Sequence, residues 1–365
     1  MNIADPLQHV KEPVRKQKLY TLPEIDYDIK VNQNENPFDL PDDLKQKILS
    51  AIRERQWNRY PRLGSEELRH RLGTSLGVSG DVLMVGNGSN EVMLAIMNAV
   101  LEPGKCLVTI EPTFTLYKHY AEIMGAEVIT VPLADDFTFQ VDLLKRAVSK
   151  FDVALTIVCS PNNPTGTVLE ESQLRELLEA GSGFILVDEA YGDFSTQDFL
   201  PLLDEYPNLL LTRTFSKAFA FAFGRFGYGI AHPDMAAEIY KVLLPYNLNG
   251  FTETAVEILL SEKETMETII ADIIQQRDSL YETLQQFVEL EVYPSQANFF
   301  LIHPNIDSAW LYNQLMARKI LVRDVSYYPG LGNHLRISVG TEEENSRIMD
   351  SLRELLSGTT TIVEK

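Results

Sequence analysis

Between residues 82 and 231 seven short apolar runs recur: Val82–Val85, Cys106–Ile110, Val128–Val131, Val153–Val158, Phe184–Val187, Leu209–Thr212 and Tyr228–Ala231. Segments of roughly ten to fifteen residues with helical patterning separate several of them. A run that is apolar at consecutive positions must be covered on both faces, and crossovers long enough to hold a helix join parallel strands. The spacing therefore predicts an α/β domain built on a mainly parallel seven-stranded sheet. Ligands of open sheets of this kind bind at the carboxyl ends of the strands, so the residues just after these runs are the first places to look for chemistry.

The flanks read differently. Pro6, Pro13, Pro23 and Pro37 break any long helix in the first 40 residues, which therefore read as an extended arm. Pro41-Asp42-Asp43 opens a helix with Leu44, Ile48 and Ile52 on one face, and Gly64-Ser65-Glu66-Glu67 offers a hydroxyl cap for a second, ending near Gly73. Past Pro245-Tyr246-Asn247 a long amphipathic helix runs from Glu262 to Val288. Strands at Asn298–Ile302, Ile320–Val322 and Leu335–Val339, with helices at Ala309–Arg318 and Glu342–Leu356, then make a smaller α+β lobe. The expected division is an arm at 1–40, a large domain at 41–250 and a small C-terminal domain at 251–365.

Composition narrows the function. A formal charge of -20 argues against a nucleic-acid partner, and the one basic cluster, Lys11 to Lys18, is confined to the arm. No stretch has the apolar length of a membrane span or of a signal-peptide core. Cys106 and Cys159 sit in strand-like runs, as buried reduced thiols of a cytoplasmic protein do, and the six histidines are too scattered for a metal site.

Four motifs follow strand-like runs. Val85-Gly86-Asn87-Gly88-Ser89-Asn90-Glu91 turns from a strand into a helix, where free N–H groups and the helix dipole converge as a phosphate site would require. Ser160-Pro161-Asn162-Asn163-Pro164-Thr165-Gly166 is a rigid turn that can aim an amide inward, and Val187-Asp188-Glu189-Ala190-Tyr191 places an acid and a tyrosine at the next strand end. Arg213 to Gly227 carries Lys217 among aromatic and small residues, with Ser216 before it and Arg225 eight residues on. Alone, each has a bland reading: a common glycine turn, a tight loop, a surface lysine between core elements. Together they meet the needs of pyridoxal 5'-phosphate: an amine for its aldehyde, a carboxylate for its ring nitrogen, donors for its phenolate oxygen and a phosphate cup.

The chain resembles the fold type I aminotransferases, most closely the histidinol-phosphate aminotransferases, from Asn32 to about Leu355. The resemblance rests on Asn34-Glu35-Asn36-Pro37, Asn58-Arg59-Tyr60-Pro61, Ser160 to Gly166, Asp188 to Tyr191, Thr214 to Arg225, Pro245-Tyr246-Asn247 and Leu335 to Thr341, in family order. It implies Lys217 as the imine-forming lysine and proton carrier, Asp188 at the pyridinium nitrogen, and Asn163 with Tyr191 at the phenolate oxygen. Phe114 would stack on the ring, while Gly88, Ser89, Asn90, Thr214, Ser216 and Arg225 would hold the phosphate. Tyr60 would reach that phosphate from the second subunit of a homodimer. Arg323 and Arg336 would take the anionic groups of histidinol phosphate and of glutamate or 2-oxoglutarate, with Tyr20 and Asn36 nearby. The family's pattern is broken at Phe223-Gly224, where it usually has a glycine in place of Phe223, and at Asn90, where an acid is common. The implied reaction is transamination in histidine biosynthesis. An aromatic amino acid aminotransferase, a threonine-phosphate decarboxylase and a non-enzymatic scaffold are the other readings.

Overall fold

A computed structural model describes residues 6–17, 19, 25–150, 152–181 and 183–357. All seven apolar runs enter one sheet, in the order Leu83–Gly86, Gly227–Ala231, Leu209–Thr214, Phe184–Asp188, Val153–Cys159, Cys106–Glu111 and Glu127–Pro132. Every neighbouring pair is parallel except the two made by Gly227–Ala231. Alternate residues of each strand feed two separate cores. Val85, Val108, Val158, Val187, Leu209 and Leu211 face one, while Met84, Leu107, Ile157, Leu186 and Leu210 face the other. Leu209, Leu210 and Leu211 are fully buried, each gaining roughly 2 kcal/mol from its burial.

The C-terminal lobe is a four-stranded antiparallel sheet ordered Arg323–Asp324, Leu335–Ser338, Phe299–Pro304 and Leu290–Val292. The run at Ile320–Val322 does not form one strand. Ile320–Leu321 pairs in parallel with Ile29–Lys30 of the N-terminal segment, and Arg323–Asp324 pairs with Leu335–Ser338. The segment after residue 28 is thus stitched to the small lobe: Val31 N–H donates to Leu321 O and Ser338 N–H to Val31 O.

The second helix differs from the expectation in its end and in its cap. It runs Glu66–Leu76 and stops at the left-handed Gly77. Gly73 lies inside it because a Cβ there would stand 2.6 Å from the Val78 carbonyl oxygen, a close-approach role rather than a stop signal. Ser65 caps nothing with its hydroxyl; its backbone is itself left-handed. A helix at Gly250–Leu259, capped by Asn249, packs on Asp42–Arg53, and its Thr252 hydroxyl donates to Gly224 O at 2.6 Å. Among the described residues no helix is long and apolar enough to cross a membrane, and no cluster of ligands could hold a metal.

Candidate active site

The carboxyl edge of the large sheet meets the small lobe in a cavity of about 250 Å³. Ser89, Asn90, Phe114, Asn163, Asp188, Tyr191, Thr214, Ser216, Lys217 and Arg225 all line it, and Arg323 and Arg336 close it from the small sheet. Each reaches it because a strand ends there: Asp188 is the last residue of Phe184–Asp188, and Lys217 stands three residues past Leu209–Thr214.

Lys217 donates from Nζ to the Gln33 carbonyl oxygen at 2.8 Å. Loss of solvent, reinforced by the cations Arg336 and Arg225, pulls its ammonium down to about 7 against the pull of Glu35. The segment bearing it is fixed by Phe215, buried and stacked on Phe219 at 4.0 Å, and by Ser216 N–H donating to Thr214 Oγ1. The Phe223-Gly224 departure is accommodated locally. Phe223 is fully exposed, whereas a Cβ at Gly224 would stand 2.0 Å from the Phe221 ring and force that ring to move.

Asp188 is buried and accepts three hydrogen bonds: from Tyr117 Oη to Oδ2 at 2.6 Å, and from Thr212 Oγ1 and the Ala190 N–H to Oδ1, each at 3.2 Å. A carboxylate has about four acceptor positions, so one on Oδ2 is left for a further donor. Burial raises the Asp188 carboxyl, and these donors pull the other way. Asn163 accepts from Arg336 Nη1 at 2.5 Å through Oδ1, which turns its NH₂ group away from the arginine. Tyr191 accepts from Asn34 Nδ2 at 2.9 Å. Arg336 also donates to Asn32 O at 2.8 Å, and its buried Nε has no hydrogen-bond partner. Arg323 lies directly across the strand pair from Arg336 and donates to Tyr327 Oη at 3.3 Å.

The start of helix Ser89–Val100, whose first amides have no intrahelical acceptor, has the geometry to hold an anion. Gly88 has φ 87, and a Cβ there would lie 2.5 Å from Arg225 Nη2; one on Gly227 would lie 2.0 Å from Ser89 N. Backbone and guanidinium thus approach closer than any side chain permits. Arg225 Nη1 donates to Ser216 Oγ at 3.0 Å. These groups fit pyridoxal phosphate: a near-neutral amine, a buried carboxylate with one open acceptor, two amide and hydroxyl donors, and an anion cup share one cavity.

Two predicted residues stand elsewhere. Asn36 does not line the cavity; its Nδ2 donates to the Lys217 and Ala218 carbonyls and so braces the lysine from behind. Tyr60 is 81% exposed and stacks on Tyr246 at 4.6 Å, outside the cavity of its own chain. Tyr20 lies outside the described residues. Sequence reasoning misses Asn34, although it belongs to one of the motifs, and Tyr117, on helix Leu116–Met124.

Residues 27–352 match the family model described as aminotransferase class I and II. The histidinol-phosphate aminotransferase of Chlorobaculum tepidum is 36% identical over 90% of this chain and 94% of its own. Histidinol-phosphate aminotransferase 1 of Carboxydothermus hydrogenoformans is 37% identical over 96% and 99%. The crystal structure of histidinol-phosphate aminotransferase from Sinorhizobium meliloti in complex with pyridoxal-5'-phosphate shares the fold, with a TM-score of 0.85 at 22% identity over 96% of this chain and 98% of that one.

Proposed function

The chain belongs to the class I and II aminotransferases, and from that premise we propose that it moves the amino group of L-histidinol phosphate to 2-oxoglutarate. The observation that carries the reading is one cavity in which an amine held near neutrality faces a buried carboxylate and two arginines on neighbouring strands. Relatives named for this reaction, at 36 and 37% identity over nearly the whole chain, support the choice of substrate.

Pyridoxal phosphate, the family's cofactor, supplies an aldehyde for amine capture and a ring that withdraws electrons from the substrate α-carbon. Lys217 Nζ, drawn down to about 7 and so able to gain or lose a proton near neutrality, would take the proton from that α-carbon and return it on the cofactor side. Asp188, held by Tyr117, Thr212 and the Ala190 amide, offers its open acceptor to the ring nitrogen. Asn163 and Tyr191 would offer donors to the phenolate oxygen, and Phe114 would cover a ring face. Ser89, Asn90, Thr214, Ser216 and Arg225 would hold the phosphate. Arg336 and Arg323 present planar donor forks that suit phosphate in one half-reaction and carboxylate in the other. A second copy of the chain supplies Tyr60, whose exposure beside Trp57, Tyr246 and Phe251 supports an aromatic interface there. A cytoplasmic site of action agrees with two buried free thiols.

The test is glutamate formation from 2-oxoglutarate with histidinol phosphate as donor, in competition with phenylalanine. Lys217→Ala should abolish both this activity and the visible absorbance of the lysine-bound cofactor. Preference for phenylalanine, carbon dioxide release from threonine phosphate, or retained activity in the variant would each overturn the assignment.

A further inference from the structure

Asn34 is 1% exposed with its backbone in the left-handed region, φ 54. Asparagine tolerates that conformation better than most residues, but it persists only where surrounding bonds fix it. Ser338 Oγ, on the small sheet, accepts from the Asn34 N–H and donates to its Oδ1, both at 2.9 Å. Asn298 Nδ2 donates to the Asn34 carbonyl at 3.2 Å. With Oδ1 committed to Ser338, the amide can present only its NH₂ group to the other side, and that group donates to Tyr191 Oη at 2.9 Å. A phenol that accepts from one side has its single O–H to place on another. Tyr191 itself is packed edge-on against Phe299.

We propose that Asn34 is a positioning residue that fixes the Tyr191 hydroxyl as a donor into the cavity, toward the phenolate oxygen of the cofactor. This rests on the reading of Tyr191 given under Proposed function. The same arrangement makes the small lobe a participant in cofactor chemistry, because Ser338 holds the side-chain amide of Asn34 and Asn298 its backbone carbonyl, and Asn34 orients a residue just past a strand of the large sheet. The charged and titratable groups facing Tyr191 are Arg336 from the small sheet, Lys217 with Nζ 6.0 Å from its ring centroid, Asp188 and the Cys159 thiol. Burial pushes the Tyr191 hydroxyl up to about 12, so it keeps its proton across the range in which the cofactor is titrated.

The experiment is a pH titration of the visible absorbance of the cofactor-loaded protein. A donor to the phenolate stabilises its anionic form and lowers the pH at which the lysine-bound cofactor changes colour; losing the donor raises that pH. Tyr191→Phe should raise the midpoint by about one unit, a tenfold change in the proton equilibrium. Asn34→Gly, which keeps the left-handed backbone, and Asn34→Asp, whose carboxylate would draw the Tyr191 proton to itself, should each raise it by roughly half a unit or more. In the Tyr191→Phe background Asn34→Gly should add nothing. If Asn34→Gly fails to fold, Ser338→Ala releases one hold on the amide and should move the midpoint the same way. A midpoint unmoved by the Asn34 or Ser338 change while Tyr191→Phe shifts it overturns this inference alone. An equal Asn34 shift with and without Tyr191 overturns it too. A midpoint unmoved by Tyr191→Phe overturns the role of Tyr191 and the inference with it.

Discussion

Replacing Tyr117 with Phe removes one oxygen from the back of the cavity and leaves the packing otherwise intact. The lost bond, 2.6 Å to Asp188 Oδ2, joins two buried groups and has a carboxylate as acceptor. A hydrogen bond to a charged group contributes about 1.5–3 kcal/mol. The loss falls on the state in which Asp188 is ionised, which is the state that would bind a protonated ring nitrogen. Without Tyr117 the carboxyl, already raised by burial, rises further. Cofactor affinity should therefore fall by as much as roughly 10- to 150-fold, at 1.4 kcal/mol per factor of ten, the full loss being reached at pH low enough for apo Asp188 to be neutral. The deficit should widen as pH falls, because more of the apo protein then carries a neutral Asp188 that must be deprotonated on binding. Equilibrium dialysis of pyridoxal phosphate against apo protein at a series of pH values reads both quantities. Tyr117→His, which restores a donor, should recover part of the affinity. Tyr117→Phe binding within threefold of the unaltered chain, with a parallel pH profile, would refute the role assigned to this bond.

Two further outcomes follow from the same geometry. With Lys217 drawn down to about 7, apo protein mixed with pyridoxal phosphate should develop its visible absorbance faster as pH rises. The rate should climb close to tenfold per unit below 7 and level off above it, since only the neutral amine reacts; a stopped-flow profile still climbing at pH 9 would show an ordinary lysine. If Tyr60 serves the second copy, mixing Lys217→Ala and Tyr60→Ala subunits, each inactive alone, should restore about a quarter of full activity, because half the dimers then hold one intact site of two. Activity of the mixture no greater than that of its parents counts against a shared site.

The large sheet was legible because its strands, apart from the edge strand Glu127–Pro132, are buried on both faces, so each of these shows as a consecutive apolar run that no surface helix imitates. The small lobe was less so. Leu290–Val292 and Ile29–Lys30 are too short to display a period, and Ile320–Val322 looks like one strand because the switch of partner at Val322 is a tertiary event. Gly73 and Gly77 show the same limit within one helix: both are glycines near its end, and only the approach of the Val78 carbonyl tells a packing glycine from a stop.

At the cavity, the groups that would touch the cofactor were readable, whereas the groups that hold them were not. Lys217, Asp188 and Asn163 follow strand-like runs, and strand ends are marked in the sequence. Tyr117, Asn34 and Ser338 act through bonds spanning 71, 157 and 304 residues, and no local pattern encodes such separations. Asn34 and Asn36 belong to one motif, yet Asn36 braces the lysine backbone and Asn34 donates to Tyr191. The asymmetry has a physical basis. Direct contacts require particular residue types at strand ends, but a buried donor can be supplied by any polar side chain the fold brings within reach. Roles of that second kind have to be assigned from hydrogen bonds, and they fall here on residues that tie the small lobe to the large sheet.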